Sequence, residues 1–242
     1  MLAGKDKIKV FVDFDGTITR KDVGASIFLN FGDMQLIEPI VKRIDSGEIS
    51  GSEGWKELFM LLPHVPKSDL DEFINSVEID SSFHNFAEFL NANGIEYYVL
   101  SDGFDYYIEK IFNRENILGI KYFSNRLFYN AMGEMETEYP YRDEECKECA
   151  NCKRDHLLMH SADEEYTIYI GNGSSDRCPA QYCDFIFAKD SLLRFCEKER
   201  ISFSPFDSFN DVQKKMSAIV AKKRLKKRHQ AELKRRAAYL QG

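Results

Sequence analysis

The run Lys9-Val10-Phe11-Val12-Asp13-Phe14-Asp15-Gly16-Thr17 decides how the rest of the chain is read. Its apolar, β-branched first half has the character of a buried strand. Two aspartates two residues apart follow, and then Gly-Thr. Residues i and i+2 of a strand share a face, but a turn at Gly16 leaves the aim of the two carboxylates open. The spacing does put a pair of acids at the carboxyl end of a strand, where open α/β sheets hold their ligands. Two carboxylates so close repel unless a cation or a shared proton separates them. A metal site with one carboxylate left as a nucleophile meets that condition. The alternative is a strand end whose aspartates only cap the next helix or turn.

At 242 residues the chain suits one large domain or a core with a smaller insert, and 43% hydrophobic content is ample for a buried core. The sequence holds no uncharged apolar run of about 18 residues, the length a membrane helix needs. Met1 to Lys9 is too short and too charged for a secretory signal, so a cytoplasmic location is expected. There, six cysteines argue for thiols or a metal site rather than disulfides. The net charge of −7 is unevenly spread. From Lys214 onward 11 Lys and Arg face the single acid Glu232, which leaves the rest of the chain near −17. The body should repel nucleic acid and anionic lipid; only the tail could attract them.

After Thr19 the pattern turns helical for some seventy residues. Asp22–Phe31 and Asp33–Ile44 carry apolar residues at three- and four-residue spacing, with Gly32 and Gly47 as stops and Pro39 expected to bend or restart the second. Ser52–Leu62 reads as a helix ended by Pro63, Ser68 with Asp71 as a capping box, and Ser82–Asn91 as the last helix before Gly94. This stretch lacks helix–strand alternation and reads as a helical insert, with Asp22, Arg43 and Trp55 as candidates for the substrate entrance. A second strand, Ile95–Leu100, runs into Ser101-Asp102-Gly103 and a helix over Phe104–Phe112. A hydroxyl, a turn and a helix start make a phosphate seat; the alternative is that Ser101 or Asp102 caps that helix. Ile120–Tyr141 reads as a hairpin.

Cys146-x-x-Cys149-x-x-Cys152 then precedes Lys153. Three cysteines at this spacing admit a structural Zn²⁺, with His156, Cys178 or Cys183 as fourth ligand, but also unpaired thiols or a redox disulfide. Lys153, at a helix start, could neutralise a nucleophile and a phosphoryl group, or be a solvated surface lysine. Finally a buried strand, Tyr166–Ile170, ends in the loop Gly171-Asn172-Gly173-Ser174-Ser175-Asp176. Asp184–Ala188 is the next strand, and Asp190 is expected to cap a helix through Lys198. The tail, 214–242, reads as helical and basic. A solvated, partly disordered extension is the simplest reading, with a partner subunit, nucleic acid or a membrane surface as alternatives.

Taken in order, Asp13-x-Asp15-Gly16-Thr17, Ser101-Asp102-Gly103, Lys153 and Gly171-Asn172-Gly173-Ser174-Ser175-Asp176 resemble the four signatures of the haloacid dehalogenase-like phosphatases. The insert is similar to the helical cap of the phosphoserine-phosphatase-like branch. The cysteine cluster and Asp176-Arg-Cys-Pro179 resemble phosphoethanolamine/phosphocholine phosphatases. The stretches 187–193 and 203–209 resemble the phosphatases of methionine salvage. The resemblance covers roughly residues 8 to 216. It implies an α/β fold: a Rossmann-like parallel-sheet core (1–19 and 92–213) with a helical cap (20–91) after the first strand, then the tail. It also implies a phosphomonoester hydrolase acting on a small phosphorylated metabolite through an aspartyl-phosphate. In that scheme Asp13 is the nucleophile, Asp15 the acid and base, and Lys153 the charge stabiliser. Ser101, Asp102, Gly103 and Lys153 hold the phosphoryl group. Mg²⁺ sits on Asp13, the Asp15 carbonyl and Asn172, with Asp176 as a further metal residue, through a bound water or by direct ligation. The family has Asp where this chain has Asn172, so a weaker hold on Mg²⁺ is expected; a catalytically weak binding or regulatory protein is the rival reading. Oligomeric state is not legible.

Overall fold

In the computed structural model, residues 8–143, 148–222 and 224–241 are described. The first strand, β1 (Ile8–Asp13), has four fully buried or nearly buried residues at its carboxyl end, as the apolar run requires. It pairs in parallel with β2 (Glu96–Phe104) on one side and β5 (Tyr166–Gly171) on the other, Asp13 standing in register with Leu100. Beyond β5 lie β6 (Phe185–Ala188) and the two-residue β7 (Ser204–Pro205), both parallel. β2 also neighbours β3 (Lys121–Tyr129), which forms an antiparallel hairpin with β4 (Met135–Glu138). The fold is therefore α/β, with seven strands, most of them parallel.

Two compact units divide the chain. The first holds residues 1–18, 79–100 and 153–242; the second holds 19–78 and 101–152. The first contains β1, β5, β6, β7, α5 (Phe83–Ala92), α7 (Lys153–Met159), α8 (Arg177–Ala180), α9 (Asp190–Lys198), α10 (Phe209–Val220) and α11 (His229–Gln241). The second contains α1 (Val23–Phe31), α2 (Met34–Asp45), α3 (Gly51–Leu61), α4 (Lys67–Ser76) and α6 (Asp105–Arg114), with β3 and β4. Among the described residues no helix is long and apolar enough to cross a membrane.

Local chemistry explains most element boundaries and several departures from expectation. Asp22 and Asp33 are the N-caps of α1 and α2, accepting from the Ala25 and Gln35 amides. α2 runs straight through Pro39. Proline there, the sixth residue of the helix, removes one interior amide bond, and Ile37 and Ile40 hold both sides of it in a core with Phe28 and Leu58. The capping box belongs to Ser50 and Glu53, at the start of α3. Ser68 makes none: α4 begins one residue earlier with Pro66 as N-cap, and Asp71 is taken by Lys67 and Tyr106. Asp190 opens α9 as its first helical residue, with no side-chain cap. The proposed entrance residues have structural partners instead. Asp22 is a cap, Arg43 pairs with Glu48 and Glu57, and Trp55 packs on Phe28, Phe59 and Phe104.

The tail departs most. Leu225 and Ala231 are buried, as is the Arg235 side chain at 3% exposure. Arg235 pairs with Asp184, and Tyr166 and Tyr239 donate to the Leu225 and Leu158 carbonyls. Residues 225–239 thus pack on their own unit rather than standing free in solvent: Ala231 and Arg235 share one face of α11, and Arg228 anchors the segment just before it.

Candidate active site

β1 delivers Asp13 into the interior of the first unit, where its residue is 3% exposed. The chain then turns tightly over Phe14–Ile18, with Asp15 extended at φ −75, ψ 114 and Gly16 at φ +75. Only glycine fits there. Its conformation is left-handed, and a Cβ would fall 2.5 Å from the Asn172 side-chain nitrogen. Thr17, itself buried, donates its hydroxyl to Asn172 Oδ1 at 3.1 Å. The first and last motifs are thus locked together.

Lys153, the first residue of α7 and 1% exposed, places its ammonium in this corner. Its three protons find three acceptors: Asp13 Oδ1 at 2.5 Å, Asp176 Oδ1 at 2.8 Å and Ser175 Oγ at 3.0 Å. Asp176 is fully buried and has four donors. Lys153 and the Tyr169 hydroxyl (2.6 Å) meet Oδ1; the amides of Asn172 (2.9 Å) and Gly173 (2.8 Å) meet Oδ2. A Cβ on Gly171 would lie 2.5 Å from that same Oδ2, so the loop can curl around the carboxylate only with glycine there. With both oxygens occupied, Asp176 organises the loop and the lysine.

Burial dominates the electrostatics. It pushes the Asp13 carboxyl well up, Asp176 adds to the rise, and Lys153 opposes it. The Lys153 ammonium is held firmly protonated by Asp13 and Asp176 against its own burial. A cation beside Asp13 would oppose that rise, and the groups the motifs assign to one (the Asp13 carboxylate, the Asp15 carbonyl, the Asn172 amide oxygen) are all oxygens, the set that suits Mg²⁺.

In the second unit, Ser101-Asp102-Gly103 is extended and forms the end of β2; the helix starts at Asp105. Neither the turn nor a cap is present. Ser101 Oγ accepts from the Gly103 amide at 2.9 Å, and Asp102 Oδ1 accepts from the Ala150 and Asn151 amides at 2.8 and 2.7 Å. Asn151 in turn donates to the Ser101 and Phe123 carbonyls. These bonds, unforeseen from sequence, hold the strand end straight. The zinc expectation gains no support. Cys146 lies outside the described residues, Cys149 and Cys152 are buried thiols, and Cys152 Sγ has the Asp143 carboxylate at 3.9 Å.

Tyr169, Ser175 and Thr17 were also missed. Tyr169 had one available signal: a tyrosine inside a wholly apolar strand needs a partner for its hydroxyl. The stretches 187–193 and 203–209 contribute Phe187, Phe206 and Phe209 to the core, Phe209 packing on Phe83 and Phe86, which makes them packing features.

The chain resembles known phosphatases along most of its length. Residues 8–200 match the family described as "Putative Phosphatase". A protein of Bacillus mycoides (strain KBAB4) named 2-hydroxy-3-keto-5-methylthiopentenyl-1-phosphate phosphatase is 35% identical over 211 residues, 85% of this chain and 94% of that one. A protein of Bacillus thuringiensis (strain Al Hakam) with the same name is 34% identical over 219 residues, covering 88% and 97%. Among solved structures, a phospho-aspartyl intermediate analogue of phosphoserine phosphatase superposes with a TM-score of 0.63 at 20% identity, over 86% of this chain and 98% of that one. By its match to that family over residues 8–200 and its relatives of 34–35% identity, the chain belongs to the family described as "Putative Phosphatase" and is a phosphatase with the haloacid dehalogenase-like fold.

Proposed function

We propose that Asp13 is the nucleophile of a phosphomonoester hydrolase whose substrate is a small phosphorylated metabolite. The observation that carries this is the buried contact of Asp13 with Lys153, itself fixed by Asp176 and Ser175. An Asp13 oxygen attacks phosphorus while the ester P–O bond breaks, and Asp15 gives its proton to the departing alkoxide. Water then attacks the phosphorus of the aspartyl-phosphate, Asp15 takes back a proton, and the bond to Asp13 breaks. Lys153 offsets charge on the phosphoryl oxygens through both steps, and Ser101 and Gly103 are assigned to those oxygens. Mg²⁺, typical of this family, would be held by Asp13, the Asp15 carbonyl and Asn172 and would supply further charge neutralisation when bound. Asn172 is neutral, so this hold is weaker than an aspartate would give. The helical stretch within 20–91 is proposed as the family's cap and the source of selectivity.

The names of the relatives make 2-hydroxy-3-keto-5-methylthiopentenyl-1-phosphate the first substrate to try. The test is a panel containing it with phosphocholine, phosphoethanolamine, phosphoserine and sugar phosphates, at saturating Mg²⁺. The expected result is a kcat/KM for this compound at least about tenfold above the others, a gap of some 1.4 kcal/mol. Preference for any other member overturns the substrate assignment; no turnover of the whole panel or of p-nitrophenyl phosphate overturns the hydrolase reading.

A further inference from the structure

The segment that holds the chain just after Asp176 comes from the far end of the sequence. Asp176 is the N-cap of α8, a helix of only four residues, and its carbonyl accepts from the Ala180 amide at 3.1 Å. A helix that short cannot satisfy its last carbonyls internally. The Gln181 and Tyr182 amides serve the Cys178 and Pro179 carbonyls, and the C-terminal tail holds the carbonyls from Ala180 onward. Arg228 Nη2 donates to the carbonyls of Ala180 (2.8 Å) and Gln181 (2.7 Å), and Arg235 Nη1 donates to that of Tyr182. Both arginines are tied to Asp184. The Arg228 amide meets Oδ1 at 3.1 Å, and Arg235 Nη2 meets the same oxygen at 3.2 Å. Asp184 itself is clamped to the start of β5, its Oδ2 accepting from the Thr167 amide and hydroxyl.

The loop that joins β5 to β6 is therefore pinned at two ends. At one end Asp176 holds Lys153 and the Asn172–Gly173 amides. At the other, three successive carbonyls are held by two guanidinium groups. The Arg228 groups Nε and Nη1 are buried without a hydrogen-bond partner among the described residues. Burying donors unmet is destabilising, so the position is a poor choice for stability alone. Cations do suit the carbonyl end of a helix.

We infer that Arg228 and Arg235 are positioning residues: the tail is a clasp that fixes α8 and, through it, the Asp176 carboxylate that aims Lys153 at Asp13. The inference rests on the phosphatase reading for its catalytic consequence and on geometry alone for its structural one, and the two are measured separately. Hydrogen exchange of the Asn172 and Gly173 amides, which Asp176 binds, is followed in wild type, Arg228→Ala and Arg228→Lys. Met216→Ala, a core change in α10, serves as a control chosen for similar loss of melting temperature. The clasp requires exchange at 172 and 173 to rise about tenfold in both Arg228 variants, with β1 amides unchanged, and not in Met216→Ala. It further requires kcat to fall by a similar factor with KM held, and Arg235→Ala to behave likewise. Exchange at 172 and 173 that matches the control overturns the clasp whatever happens to activity. A wild type that hydrolyses nothing overturns the phosphatase reading, and the exchange data still decide the clasp.

Discussion

Asp13 and Asp71 sit in different units yet have the same kind of company. Asp13 meets Lys153, which also holds Asp176 beside Tyr169; Asp71 meets Lys67 at 2.9 Å, Lys110 at 3.1 Å and the Tyr106 hydroxyl at 2.6 Å. Their acidities nevertheless move in opposite directions. Asp13 rises because its side chain is 5% exposed and a second carboxylate shares its lysine. Asp71, 27% exposed, also feels burial as an upward push, but Tyr106, Lys67 and Lys110 outweigh it and draw it down to about 2. Partners alone do not make a reactive carboxylate. Solvent exclusion and a second carboxylate do, and Asp71 is a surface ion-pair node of ordinary kind.

The comparison breaks most sharply in kinetics. Asp13→Asn should lower kcat by at least about 10⁴-fold, as loss of a nucleophile does. Asp71→Asn should change steady-state rates by no more than about twofold, since an exposed pair contributes little. Comparable losses in both would mean that Asp13 is structural. Next in size is the metal dependence. Asn172→Asp adds the missing charge and should lower the half-saturating Mg²⁺ concentration by about tenfold, the lower end of what a change around a metal brings. Already micromolar saturation in wild type would contradict a weakened hold.

How much of this was readable beforehand differs by residue. β1 and the pairing of Asp13 with Lys153 were legible because an apolar run and motif order are sequence properties. The straight end of β2 was not, because a Gly after Ser-Asp reads as a turn; what keeps it extended is Asn151, fifty residues away, with Asp102 bonded to the same loop. The role of Asp176 depends on backbone amides curling around it, which no side-chain pattern encodes. The docked tail was hidden because its inward face is built from arginines, and charge at helical spacing reads as a solvated surface.

Stability sharpens the contrast through sign. In metal-free protein at pH 8 burial and the neighbouring Asp176 disfavour the charged form of Asp13, so Asp13→Asn should stabilise. The expected gain is about 1–3 kcal/mol, or a few degrees in melting temperature. Asp71→Asn should destabilise by less than about 1 kcal/mol. The Asp71 contribution should be present above pH 4 and fade as pH falls toward 2, because its acidity is greater folded than unfolded. Equal signs for the two variants would remove the proposed difference in burial.

His156, three residues beyond Lys153 and stacked on His160, is a group in which burial outweighs a carboxylate, that of Asp155. Burial first, then His160, pushes it down to about 4 from 6.5. The unfolded chain therefore binds a proton that the folded one refuses between these values, and stability should fall as pH drops from 6.5 toward 4. His156→Asn should flatten that part of a melting-temperature profile by on the order of 2 kcal/mol; an unchanged profile would show that this histidine is not the group responsible.

The most direct measurement is acid quench of the enzyme during turnover, followed by mass spectrometry of its peptides. The peptide bearing Asp13 should appear heavier by one phosphoryl group in wild type, with fragmentation placing it on Asp13, and should be unmodified in Asp13→Asn. Rapid turnover with the phosphoryl group on another residue, or undiminished turnover in Asp13→Asn, would contradict the account.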